Sequence, residues 1–306
     1  MPICVICRLE KSKFNIEHVI PRSINGYYLI KSVCDDCNSK LGSMVDSKLI
    51  NYPLIKMQRK LLNIKGHSGK TPNFFENTFM LTNHPKQKFR VEKNEYGEFD
   101  TRLIPQPQII EDENNPHVLT LIDEKDLYRK DEIIDKFLKR NNLKRSETRL
   151  EKISEFNSQE VITEELVFDE SKEWIGLLKI AYEFAVDTIP QYFNDELAIK
   201  ISKILHTGNT ELMAKELKFG MNLLGEIIFK ILSKFINFEH SNHYLLLFQH
   251  EQDGLICFIK LFNSNIFGVI LSDYTNYLTS EAILGINDSI KKTFEKLTYE
   301  ELVEKN

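Results

Sequence analysis

The sequence predicts an α+β fold, in which a small N-terminal module precedes a larger C-terminal domain of mixed α+β structure. Three observations lead to this fold class. Four of the five cysteines lie within the first 37 residues, the positive charge is concentrated in the same segment, and the later chain combines helical with strand-like hydrophobic patterns. A short segment with so many cysteines indicates a module held together by something other than a large apolar core.

The four early cysteines form two C-x-x-C pairs. Cys4 and Cys7 make the first pair, Cys34 and Cys37 make the second, and 26 residues separate them. This spacing is typical of a tetrahedral zinc site with four thiolate ligands, which leaves no coordination position for water and is therefore structural. The chain starts without the pattern of a secretion signal, so we expect a cytoplasmic protein whose thiols bind metal rather than form disulfides.

The segment between and after the cysteine pairs has the pattern of a hairpin followed by helices. Two short β-rich runs, 14–20 and 27–33, are separated by Pro21 and by the turn pair Asn25-Gly26. A helix is expected over 35–50, and another over 52–62 with Pro53 in its first turn. The N-terminal module is therefore predicted to have a ββα order and to span residues 1–63.

The middle of the chain is predicted to be a connecting region over residues 64–165. Its glycine- and proline-containing start indicates a loop, and its later part is charged and polar. Short strands are expected first, then a charged helix over 124–141 and a linker over 142–159. The expected strands are 78–81, 88–91, 99–103 and 118–122.

Residues 166–306 are predicted to form the C-terminal domain. Trp174, Tyr182 and Phe184 recur at helical spacing and are expected in its core. The histidines and Cys257 in its later part have no ligand-like spacing beyond one H-x-x-H pair and are expected to be core or surface residues. The pattern predicts helices over 171–186, 195–205 and 219–238, then strands over 243–249, 255–261 and 266–271, and a charged terminal helix.

The charge is divided unevenly along the chain. The net charge is −5, but residues 1–70 hold 12 Lys and Arg against 5 Asp and Glu, a net +7, whereas residues 71–306 hold 28 against 40, a net −12. A positive module can attract a polyanion even when the whole chain is acidic. Candidate contacts to phosphate groups are Lys11, Lys13, Arg22, Lys31 and Lys40.

The residues inside this module carry a resemblance to a known family. Glu17-His18-Val19-Ile20-Pro21 follows the first predicted strand, and Cys37 is followed directly by Asn38 at the start of a helix. With the two C-x-x-C pairs around it, this arrangement resembles the HNH endonuclease superfamily, which has a ββα-metal fold, in the subgroup with two cysteine knuckles. The resemblance covers roughly residues 3–50.

The resemblance implies a metal-dependent endonuclease that hydrolyses phosphodiester bonds, with DNA favoured over RNA as substrate. It implies that His18 is the general base and that Glu17 and Asn38 are ligands of a catalytic Mg²⁺ or Mn²⁺. Imidazole titrates near neutral pH and can take a proton from water, while carboxylate and amide oxygens suit a hard cation. Bacterial proteins of this kind often act in restriction or phage defence. We expect no membrane segment, and the partners that we consider besides nucleic acid are a second copy of the chain and a regulatory protein.

The sequence departs from the family pattern in one place and leaves several alternatives open. The middle asparagine of the motif is missing, because Lys31 and Ser32 occupy its neighbourhood and Asn25 is a weaker substitute. Glu17 and His18 would point to opposite faces of a flat strand, so Glu17 could hold the His18 ring instead of a metal, and Asn38 could be a helix cap. Asp46 is expected on the surface.

Two other functions fit the same residues. A non-catalytic zinc module that binds nucleic acid or protein would explain the missing asparagine. The other is a toxin-like nuclease that a partner holds inactive.

Overall fold

The computed structural model divides the chain into two compact units. Residues 1–72 and 167–306 form the first unit, and residues 73–166 form the second. The structure describes residues 1–66, 69–72, 79–81, 84–93, 99–110, 117–145, 169–221, 223–262 and 266–304.

The first unit begins with the predicted ββα arrangement. Strand β1 (Glu17–His18) pairs antiparallel with β2 (Leu29–Ile30), so that Glu17 lies opposite Ile30 and His18 opposite Leu29. Helix α1 (Asp35–Leu41) continues through a π-helical turn (Gly42–Asp46) into α2 (Ser47–Ile50), and α3 (Pro53–Leu61) follows. The helical run over 35–50 confirms the predicted helix, although its middle is widened by the π turn.

The loop between the two strands, residues 19–28, makes a tight turn that depends on two residues. Asn25 adopts the left-handed conformation, with φ of 62°, which asparagine tolerates better than most residues. A Cβ on Gly26 would lie 1.8 Å from the carbonyl oxygen of Ile20, so only glycine fits there. We call residues 19–28 the hairpin loop.

The second unit contains two small sheets and one helix within its described residues. Strands β3 (Phe79–Leu81), β4 (His84–Lys93) and β5 (Phe99–Leu103) form an antiparallel sheet. Strands β6 (Gln108–Ile110) and β7 (His117–Leu119) pair separately, and α4 (Lys130–Arg140) follows a short 3₁₀ helix. Most of the predicted linker lies outside the described residues.

The later part of the first unit starts with helices. Helix α5 (Glu170–Thr188) is followed by α6 (Glu196–Thr207), α7 (Thr210–Glu216), a short strand β8 (Phe219–Met221) and α8 (Leu223–Leu232). We refer to the described part of residues 169–304 as the C-terminal region.

A six-stranded antiparallel sheet completes the C-terminal region. Its strands are β9 (His243–His250), β10 (Gly254–Leu261), β11 (Phe267–Ser272), β12 (Ala282–Asp288) and β13 (Thr293–Thr298), together with β8, and the chain continues into helix α9 (Tyr299–Glu304). The strand order is β13-β12-β9-β10-β11-β8. The mixed α+β class predicted for this region is confirmed.

One prediction about these elements was wrong, and two strands were missed. The run 219–238 was predicted as one helix, but it begins as strand β8, in which Gly220 pairs with Gly268 of β11. An edge strand such as β8 forms by pairing with another strand, and local hydrophobic periodicity does not reveal that partner. Strands β12 and β13 were not predicted. β13 lies at the sheet edge and carries Glu295 and Lys296, charged residues that protect edges and obscure the strand pattern.

The N-terminal elements and the C-terminal region share one hydrophobic core. Helix α5 lies in its middle, with an unbroken run of buried residues from Ile175 to Val186. The predicted core residues Tyr182 and Phe184 are fully buried, and Trp174 packs against the core. In the described part of the chain, no helix combines the length and the apolar character needed to span a membrane.

Candidate active site and zinc site

The four N-terminal cysteines come together as the sequence predicted. The sulfur atoms of Cys4, Cys7, Cys34 and Cys37 all lie within 4.8 Å of one another, and all four side chains are free thiols. The Sγ atoms of Cys7 and Cys34 are 4.0 Å apart. Four sulfurs around a Zn²⁺ ion at about 2.3 Å would be spaced by roughly 3.8 Å, so the cluster has the dimensions of a tetrahedral zinc site.

A histidine from the C-terminal region lies against this cluster. His206, on helix α6, places its Nδ1 atom 3.7 Å from the sulfur of Cys37. Burial and the neighbouring thiols raise the pKa of the Cys37 thiol, so a bound cation is needed to keep it ionised near neutral pH. The imidazole is in place to donate a hydrogen bond to that sulfur.

His18 lies at the end of β1 and is partly accessible to solvent. Its strand partner Leu29 is half exposed on the same face. Partial burial lowers the pKa of His18 below its usual value, and the positive charges of Arg22 and Lys179 lower it further. The imidazole is therefore neutral at pH 7 and free to accept a proton.

Asn38 connects helix α1 to the strand that carries His18. It is the fourth residue of the helix, and its Nδ2 donates a hydrogen bond to the carbonyl oxygen of Ile16, at 3.0 Å. The N-cap position belongs to Cys34, so the interpretation of Asn38 as a helix cap is wrong. Its side chain is partly exposed and lies beside the chain two residues before His18.

Glu17 points to the opposite side of the strand from His18, as the alternation of strand side chains requires. It is buried, and its Oε1 atom lies 2.5 Å from Nζ of Lys179, which is on helix α5. Burial raises the pKa of Glu17, while Lys179 opposes that rise. The alternative that Glu17 holds the His18 ring stays untested, and the contact seen for its carboxylate is with the lysine.

Lys179 is the centre of a buried charged cluster. Its side chain is completely buried, and its Nζ lies 3.2 Å from Oδ1 of Asp46 and 3.6 Å from Oε2 of Glu183. The same Nζ donates a hydrogen bond to the main-chain carbonyl of His18, at 2.8 Å. Burial opposes its charge, but the carboxylates of Asp46, Glu183 and Glu17 outweigh that effect and raise the pKa of Lys179.

The expectation that Asp46 lies on the surface was wrong. Its side chain is only 16% exposed because helix α5 covers it, and burial raises its pKa. Glu183 is entirely buried, neither of its carboxylate oxygens has a hydrogen-bond donor among the residues that the structure describes, and burial raises its pKa well above the usual range. Three carboxyl groups thus share a single buried cation.

Two further side chains of the C-terminal region hold the hairpin loop. The Nε2 of His243 lies 2.7 Å from the carbonyl oxygen of Ile24, and its Nδ1 accepts from the amide of Phe262, which fixes the neutral tautomer. Asn287 accepts from the amide of Tyr27 at 2.7 Å and donates to the carbonyl of Asn25 at 2.9 Å. Asn287 is fully buried.

The candidate phosphate contacts differ in accessibility. Lys13, Arg22, Lys31 and Lys40 are exposed. Lys11 forms an ion pair of 3.0 Å with Asp36, an exposed residue, so its charge is partly compensated. The positive charge of Arg22 lowers the pKa of His18, so this arginine lies near the candidate base.

The comparison with protein families agrees with this geometry. Residues 4–54 match the family model described as HNH endonuclease. This segment is an HNH domain. The match includes all four cysteines and the residues Glu17, His18 and Asn38. No curated protein and no solved structure matches the chain significantly.

The two metals that an HNH domain of this type implies differ in how well the residues fit them. The four clustered thiols suit one structural Zn²⁺. For a catalytic cation, Asn38 is the accessible oxygen donor, whereas Glu17 already pairs with Lys179 through Oε1 and has only its other oxygen to offer. Among the described residues, the four thiols are the one set of three or more Cys, His or acidic side chains close enough to share an ion.

Several residues that surround the HNH domain were missed by sequence reasoning. Lys179 and Glu183 are four residues apart within the otherwise apolar stretch 174–186 of helix α5, a pattern that signals a buried charged pair. The sequence therefore carried a signal for this pair. Asn287 had no signal, since its partners in the HNH domain are about 260 residues away in the chain.

Proposed function

We propose that the protein is a metal-dependent endonuclease and that His18 is its general base. The observation that carries the proposal is the state of His18 within the HNH domain. It is partly exposed at the end of β1, its lowered pKa keeps it neutral at pH 7, and Asn38 is hydrogen-bonded to the carbonyl oxygen of Ile16, two residues before it. A neutral, accessible imidazole beside an oxygen donor is what water activation requires.

In this proposal the residues divide the reaction between them. His18 takes a proton from a water molecule as that water attacks the phosphorus atom, and the bond from phosphorus to the departing sugar oxygen breaks. Asn38 and the second carboxylate oxygen of Glu17 would hold the catalytic cation. A bound Mg²⁺ or Mn²⁺ would neutralise charge on the phosphate and stabilise the departing oxygen. The zinc bound by the four cysteines would be structural.

The substrate proposed for this site is DNA. The HNH domain implies a nucleic-acid substrate, and the exposed basic residues around it would contact phosphates without regard to sequence. Lys13, Arg22, Lys31 and Lys40 would supply those contacts, with a smaller contribution from Lys11. The restriction or phage-defence role that the family suggests belongs to the same proposal.

The test is cleavage of plasmid DNA, single-stranded DNA and RNA by the purified protein with Mg²⁺, with Mn²⁺ and with a chelator. We expect cation-dependent cleavage that prefers DNA and that is lost in His18→Ala. Equal activity in His18→Ala would exclude His18 as the base. Salt-dependent binding without any cleavage would favour the non-catalytic zinc module, and cleavage restricted to RNA would overturn the choice of substrate.

A further inference from the structure

Several contacts join the HNH domain to the C-terminal region at one place, the main chain of the candidate catalytic hairpin. Lys179 from helix α5 donates to the carbonyl of His18. Asn287 from strand β12 binds the hairpin loop twice, at Asn25 and Tyr27. All of these bonds are made to backbone atoms. They therefore fix the position of the hairpin main chain and do not depend on the side chains of the hairpin.

Lys179 makes two contacts with strand β1. Its ammonium group binds Glu17 on the buried face and the carbonyl of His18 itself, at 2.5 and 2.8 Å. A strand of two residues has few ladder bonds of its own: the amide of Val19 donates to Tyr28 at 3.0 Å, just beyond the pair. The buried ammonium group of Lys179 therefore supplies a large share of the hydrogen bonding that holds this short strand in place.

Asn287 fixes the other side of the same hairpin. The loop turns at Asn25, whose left-handed conformation directs its carbonyl toward the sheet. The carboxamide of Asn287 satisfies one acceptor and one donor that the tight turn leaves unpaired, and it does so without exposure to water. Asn287 thus braces the hairpin loop from strand β12.

We propose that Lys179 and Asn287 are positioning residues of the nuclease, and that the C-terminal region is a required part of the active site. The inference rests on the proposed function, because it assigns these side chains to the placement of His18. A displacement of about 1 Å at a reacting group can cost about 100-fold in rate. The C-terminal region then does more than recognise a target or a signal.

The test for Lys179 needs a variant that folds. Lys179→Met alone would leave three buried carboxyl groups without a cation, so we choose Lys179→Met combined with Glu183→Met, which removes one of those acids together with the lysine. The reference is Glu183→Met alone. Lys172→Met, an exposed lysine on the same helix, is the second control. For Asn287→Ala the control is Asn237→Ala, which is exposed.

We expect Lys179→Met/Glu183→Met and Asn287→Ala to lower kcat about 10- to 100-fold while KM stays within about twofold. Phosphate contacts come from other residues, so a fall in kcat with constant KM identifies positioning. Glu183→Met, Lys172→Met and Asn237→Ala should keep their activity. Unchanged kcat in both test variants, or an equal fall in the reference Glu183→Met, would overturn the proposal.

Hydrogen exchange separates this proposal from the proposed function. The amide of Val19 reports the pairing of the hairpin, and amides of β9 and β10 report the sheet. In Lys179→Met/Glu183→Met we expect exchange at Val19 to accelerate relative to Glu183→Met, with the sheet unchanged. If the wild type cleaves nothing but this difference is found, the proposed function fails and the positioning stands. Equal exchange at Val19 in the two variants would contradict the positioning in either case.

Discussion

Gly176 of helix α5 lies directly against Leu49 of helix α2. A Cβ built on Gly176 would be 2.5 Å from the Cβ of Leu49, closer than two non-bonded carbon atoms can approach. The absence of a side chain therefore lets the last turn of the HNH helix run close to the central helix of the C-terminal region. This close approach brings Asp46 and the carbonyl of His18 within reach of Lys179, one helical turn further along α5.

The first prediction concerns this contact. We expect Gly176→Ala to destabilise the protein by about 1–3 kcal/mol, because overpacking outweighs the better helix propensity of alanine. Gly42→Ala is the matched control. Gly42 has helical dihedral angles and open space around its Cα, so there we expect a gain of about 0.5–1 kcal/mol. Urea unfolding measures both, and a stabilised Gly176→Ala would show that the two helices are not in close contact.

The second prediction concerns the zinc site. We expect His206→Phe to bind zinc about 10- to 100-fold more weakly than the wild type, because the hydrogen bond to the Cys37 sulfur is lost while the ring volume is retained. The measurement is competition with a chromophoric chelator. His240→Phe, at an exposed histidine, should release zinc as the wild type does. Equal affinities in the two variants would remove His206 from the zinc site.

The third prediction concerns the pH dependence of stability. Burial raises the pKa of Glu183 well above its value in the unfolded chain, where it is near the ordinary one. The folded state therefore holds the proton more tightly, and stability falls as the pH rises from the unfolded pKa toward the folded one. The charged groups that face Glu183 are Lys179, Glu17 and Asp46, and the two acids reinforce the trend.

Glu183→Met removes this contribution. We expect its melting temperature at pH 8 to exceed that of the wild type by about 3 °C, the shift that corresponds to roughly 1 kcal/mol. The difference should shrink toward pH 5, where the wild-type carboxyl is protonated. Thermal unfolding followed by circular dichroism between pH 5 and pH 8 tests this. A difference that is constant with pH, or that changes sign at high pH, would argue that Glu183 is ionised in the folded state.

The residues that the sequence could place are those whose chemistry and neighbours are local. The cysteine pairs, the hairpin and the helix over 35–50 depend on spacing and periodicity within about 50 residues, and all were predicted. The burial of Asp46 and the pairing of Glu17 depend instead on a helix more than 120 residues later. Such long-range pairings leave no trace in a local pattern unless, as with Lys179 and Glu183, charges stand inside an apolar helix.

The role of His18 as general base is the central claim, and chemical rescue tests it most directly. Cleavage by His18→Gly should be about 100- to 10,000-fold slower than by the wild type, and added imidazole should restore part of the lost rate, because it can enter the space left by the side chain and take the proton. His250→Gly, at a histidine outside the HNH domain, should cleave normally and ignore imidazole. Cleavage by His18→Gly within twofold of the wild type would contradict the account.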